Sequence, residues 1–106
     1  MKDLNSLMKQ AQAMQEKLGQ AQKELENLVL VGQAGGGVVK VTLKGTGALD
    51  RVEIDDSLMA PGEAEMVADL IVAAHADAKR QLDQRSSELM QRAAGPLAGM
   101  PGMPKL

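Results

Sequence analysis

The stretch GQAGGGVVKVTLKGTG, residues 32–47, holds six of the chain's 11 glycines and raises the question of phosphate chemistry. A P-loop needs Gly-x-x-x-x-Gly-Lys-Ser/Thr between a strand and a helix, because loop amides and the helix N-terminus bind the anion. Here a β-type run follows the glycines, and Lys44-Gly45-Thr46 has the wrong order. The dinucleotide fingerprint Gly-x-Gly-x-x-Gly fails for the same reason. Gly35, Gly36 and Gly37 are therefore expected to supply positive φ at a hairpin turn. The other reading is close approach of another backbone, a partner subunit's included. His75 is the only histidine. Its helical neighbours Ile71, Val72, Ala78 and Lys79 include no carboxylate to orient it, so a partly exposed helix residue is expected. Asp55-Asp56 has no His or Cys nearby and reads as a solvated turn. No serine sits beside a base. No catalytic residue, metal site, cofactor or small-molecule substrate is expected, and no enzyme.

The elements that must carry any function are short to list. Leu4, Leu7, Ala11, Met14, Leu18, Ala21, Leu25 and Leu28 recur at alternating intervals of three and four. That is a heptad seam on a helix, packed either on its own domain or against another helix. Leu28 to Val31 precedes the glycines. Val38 to Lys44 then alternates, with Val39, Val41 and Leu43 on one face and Lys40, Thr42 and Lys44 on the other. Ala48 to Ile54 reads as a third strand, and the short turns predict an antiparallel meander. Pro61 is expected to open a second long helix, with Glu63 and Glu65 near its positive end. Glu88 and Arg92 are spaced for a surface pair, and Gly95-Pro96 ends the helix. The predicted architecture is α+β, in the order α-β-β-β-α, as one domain over residues 1–95. Residues 96–106, GPLAGMPGMPKL without its first glycine, read as a flexible Gly/Met/Pro tail.

Composition narrows the function further. With no Cys, Phe, Trp or Tyr, the core must be Leu, Val, Ile, Met and Ala. A zinc finger is excluded. Single-stranded nucleic acid is disfavoured, because no aromatic can stack on bases. No apolar run is long enough to span a membrane, and the start lacks a signal-peptide pattern, so a cytoplasmic protein is expected. The net charge of −2 is unevenly distributed. Residues 45–78 carry eight acids against Arg51, a net −7, and the remainder carries 11 bases against six acids, a net +5. Helices over Asp3–Leu28 and Pro61–Ala94 would be about 39 and 50 Å long. A three-stranded sheet, about 15 Å wide, cannot cover both. A second copy of the chain is the simplest cover for what overhangs.

The chain resembles the YbaB/EbfC family of nucleoid-associated proteins over about residues 1–95. The likeness rests on the Met/Gln/Leu-rich first helix, GQAGGGVVKVTLKGTG, VEID with Ser57-Leu58, DLIVAAHADAKRQ and the Gly/Met/Pro tail, in that order. Asp56 and Ala76 depart from it, where Pro and Asn are expected. The resemblance implies an intertwined, tweezers-like homodimer with projecting helical arms. It also implies binding of double-stranded DNA with little sequence preference, in nucleoid organisation and gene regulation. The alternative is a non-catalytic dimeric adaptor for a protein partner in recombination or replication repair. If the first helix leads into the sheet and the second leads away, residues 1 and 95 share the distal end. Lys2, Lys9, Arg85 and Arg92 there, against Asp3 and Glu88, are the expected DNA contacts. Lys40 and Lys44 on one strand face form the competing patch.

Overall fold

The structure is a computed structural model that describes residues 4–95. Lys2 and the expected tail, residues 96–106, lie outside the described residues. The order is α1 (Leu4–Glu26), β1 (Val29–Ala34), β2 (Val39–Lys44), β3 (Leu49–Ile54), a 3-10 turn (Asp56–Leu58) and α2 (Ala64–Ala94). The strands form one antiparallel sheet in the order β1-β2-β3, as the short turns predict. The molecule measures 74 × 25 × 16 Å, so the helices extend well beyond the sheet.

Period-two alternation decides which side of the sheet is covered. Val39, Val41 and Leu43 are completely buried, and they pack with Ala74 and Ala78 of α2. Leu70, Ile71, Val52 and Ile54 close this core around its margin. The residues at α2's contact are small, and so is the one beneath them. A Cβ on Gly32 would lie 2.2 Å from the Ala74 carbonyl oxygen and 2.3 Å from the Ala78 nitrogen. Glycine therefore lets the helix lie directly on β1. β1 runs past Val31 to Ala34, with Gly32, Gln33 and Ala34 paired to Val41, Lys40 and Val39 of β2. Gly45 plays the same part at the other end of the sheet. Its Cβ would stand 1.4 Å from the Leu25 carbonyl oxygen, and its N–H donates to the Leu28 carbonyl at 2.9 Å. The contact sits at the end of α1, which closes at Glu26 with the Leu28 N–H on the Leu25 carbonyl at 3.1 Å.

The glycine run itself turns the chain. Gly35 and Gly36 have φ of 64° and 75°, and the Gly37 N–H donates back to the Ala34 carbonyl at 3.2 Å. Positive φ at both central positions is the hairpin geometry that matches strand twist. α2 starts three residues later than Pro61 suggests. Gly62 has φ of 86°, which is not helical, so Pro61-Gly62 form a turn. Glu63 is the N-cap, and its carbonyl accepts from the Val67 N–H at 2.9 Å. Gly95 terminates the helix as expected, with its N–H on the Gln91 carbonyl.

Side chains of α2 occupy the outer edge of β1. The Gln33 N–H donates to Asp77 Oδ2 at 3.0 Å, and Gln81 Nε2 donates to the Val31 carbonyl at 2.9 Å. Farther along, α2 meets α1. Ala21, Leu89 and Ala93 are buried together, with Leu18, Leu25 and Leu28 against them. The inner half of the α1 seam thus packs on its own chain. The outer half does not: Leu4 is 71% exposed and Leu7 52%.

Candidate nucleic-acid interface

A duplex is held chiefly through phosphate oxygens, so the bases that stay free of local carboxylates matter most. On α2, Lys79 pairs with Asp83, and Arg80 pairs with Asp77. Arg85 Nε lies 3.9 Å from Glu88 Oε2 in a half-exposed pair. The expected Glu88–Arg92 pair does not form, because Glu88 turns toward Arg85 and Gln84 instead. Arg92 is thereby released. It lines a shallow groove of about 270 Å³ between α1 and α2, with Lys17, Gln20, Ala21, Glu24, Leu89 and Ala93. Neither Lys17 nor Arg92 makes an ion pair among the described residues.

Of the four bases expected at one end, Lys2 lies outside the described residues, and Lys9, Arg85 and Arg92 are not drawn together. The end of α2 lies against residues 17–24 of α1, not against the start of α1. Lys9 is exposed about 12 Å farther out along α1 than Lys17, at 1.5 Å rise per residue. Arg85 is about 10 Å back from Arg92 toward the sheet by the same measure. The partner of Arg92 across the groove is Lys17, which sequence reasoning passed over. Its signal was weak, because Glu16 and Glu24 nearby hide it in any count of charge.

The competing patch lies on the uncovered face of the sheet. Lys40 and Lys44 are exposed there. Register sets Lys40 beside Glu53 and Thr42 beside Arg51. Arg51 Nε lies 3.0 Å from Glu53 Oε1. Val29 and Val31 stand on the same face, 61% and 48% exposed. That face borders the acid-rich stretch, whose Asp55 and Asp56 are exposed at the end of β3.

The residues considered for catalysis stay apart. His75 is exposed on α2 beside Val41, Leu49, Val52, Ile71 and Val72. Asp55 accepts from the Ser57 hydroxyl, as a turn residue does. Among the described residues no group of three or more His, Asp or Glu could hold a metal ion. No described helix is long and apolar enough to cross a membrane.

Comparison with known proteins gives concordant results. A sequence model of the YbaB/EbfC DNA-binding family matches residues 1–97. The chain is 69% identical to the nucleoid-associated protein PHZ_c0369 of Phenylobacterium zucineum, over 100% of this chain and 99% of that one. It is 62% identical to a nucleoid-associated protein of Caulobacter sp. strain K31, over 96% and 94% of the two chains. Among solved structures, the uncharacterized protein HP0035 of Helicobacter pylori superposes with a TM-score of 0.69 at 24% identity. That match covers 90% of this chain and 100% of the other, and it supports the fold.

Proposed function

The chain belongs to the YbaB/EbfC DNA-binding family, and from that premise we propose that it acts as a homodimer that binds double-stranded DNA with little sequence preference. In this reading it resides in the cytoplasm, on the nucleoid, and contributes to nucleoid organisation and gene regulation. The observation that carries the reading is the pair of unpaired bases, Lys17 and Arg92, on the helical arm. From residue 79 to 95 the chain has four bases against two acids, whereas residues 45–78 are net −7. A polyanion is drawn to the first region and repelled by the second. Lys9, Arg85 and Arg92, with Lys17 added, are the proposed phosphate contacts. Lys2 belongs to the same set by sequence.

Contacts of this kind position a protein on DNA without reading bases. Gel-shift titration with two unrelated duplexes at two salt concentrations tests the proposal. Both duplexes should bind alike, and affinity should fall by about 0.9 log unit per log unit of salt for each phosphate neutralised. A chain that binds neither duplex at low salt would instead fit the adaptor reading.

A further inference from the structure

The two edges of the sheet differ. The outer edge of β1 is occupied by Asp77 and Gln81, as described above. Among the described residues no α2 side chain hydrogen-bonds the backbone of β3, the opposite edge strand. The Asp55 N–H donates to the Val38 carbonyl at 2.8 Å. Alternation then points the backbone groups of Arg51 and Glu53 toward β2, and those of Val52 and Ile54 outward. The apolar side of β3 is open as well. Leu49 is 58% exposed and Val72 69%, and both line a shallow groove of about 210 Å³ with Val52, Ile71 and His75.

We propose that β3 is the strand through which two copies join, antiparallel about a two-fold axis at Val52, with Arg51 of each copy facing Glu53 of the other. This rests on the homodimer reading and specifies its interface. The register follows from two conditions. Outward backbone groups must meet outward groups, so the axis passes through a residue and not midway between two. An axis at Asp50 sets that carboxylate against its own copy and one at Ile54 sets Glu53 against Asp55, which leaves Arg51, Val52 and Glu53. An axis at Arg51 sets Arg51 against its own copy, and an axis at Glu53 sets two carboxylates together. Like charges directly opposite destabilise a strand pair, and unlike charges stabilise it. Only the axis at Val52 makes both charged contacts favourable. Each Arg51 then lies between Glu53 of its own strand and Glu53 of the second copy. The same operation brings the apolar groove of one copy toward that of the other, on the α2 side of the joined sheet.

The chain has no cysteine, so introduced thiols report the register. Arg51 and Glu53 side chains are 70% and 51% exposed, and substitution there spares the core. Full-length Arg51→Cys and Glu53→Cys chains are made separately, mixed, oxidised and run on a non-reducing gel. Opposed residues in a pair without mutual backbone bonds have Cα atoms about 4.5 Å apart, within disulfide range. The expected result is a linked dimer in the mixture and none in either variant alone. Linking of Arg51→Cys alone, or of Glu53→Cys alone, overturns the register. A dimer mass by light scattering with no linking in any sample overturns the β3 interface but leaves the dimer standing. A monomer mass for the parent chain removes both. A second measurement uses charge. Arg51→Glu and Glu53→Arg chains, mixed and weighed by native mass spectrometry, should form heterodimers well above the statistical half. A statistical mixture counts against the proposal.

Discussion

Gly32 and Gly36 look alike in the sequence, yet they serve different ends. At Gly36 the demand is on the backbone: φ is 75° and an added Cβ would meet nothing within 4 Å. Gly36→Val should therefore cost roughly 1–2 kcal/mol through its left-handed conformation alone. At Gly32 the demand is on space. Gly32→Ala drives a methyl group into the α2 backbone, which no side-chain rotation can relieve. Overpacking usually costs about 1–3 kcal/mol, and this site should lie at or above the upper limit. Gly19 is the internal control, for its Cβ would meet nothing. Gly19→Ala should stabilise the chain by up to about 1 kcal/mol. Urea unfolding of the three variants gives the ranking, and an unchanged midpoint for Gly32→Ala would contradict the helix–strand contact. Positive φ was legible in the run of three glycines, because consecutive glycines announce a turn. The role of Gly32 was not, since it depends on α2 arriving some forty residues later in the chain. Lys17 was missed for a kindred reason. Only the crossing of the two helices makes it a neighbour of Arg92.

At the scale of elements, the α1 seam divides in two. Leu18, Leu25 and Leu28 lean on Leu89 and Ala93, whereas Leu4 and Leu7 face solvent in the single chain. A carboxylate placed in the inner half loses its hydration without gaining a partner. Leu25→Asp should therefore lose native helicity by circular dichroism at room temperature. Leu7→Asp should change the unfolding free energy by no more than about 0.5 kcal/mol, as surface changes do. A large loss at Leu7 would mean that another helix covers the outer half. Periodicity revealed the whole seam and the order of all five major elements, because spacing is a local property of the chain. It did not reveal where the seam is used, nor that Gly62 delays α2 to Ala64. The alternation in β2 was the clearest signal of all, and Val39, Val41 and Leu43 became the centre of the core.

For the whole molecule, charge and shape act together. The acid-rich stretch spans β3 and the first half of α2, and two bases without an ion pair among the described residues, Lys17 and Arg92, sit where α1 and α2 run on beyond the sheet. A body 74 Å long can keep the two regions apart, so a net charge of −2 does not forbid a polyanionic ligand. Arg85→Ala with Arg92→Ala should weaken every duplex alike and lower the salt slope by about two phosphates' worth. Lys17→Ala alone should lower it by about one. Should Lys40→Ala with Lys44→Ala weaken binding while the arm variants do not, the open sheet face is the DNA surface. The covered edge of β1 sets a limit on all such assemblies. The Gln33 N–H and the Val31 carbonyl are where an incoming strand would dock, and Asp77 and Gln81 already hold them. A sheet that grew by one edge would find the other edge spent. Association by strand addition then halts after a single step, and the abundance of the protein can rise without seeding fibres.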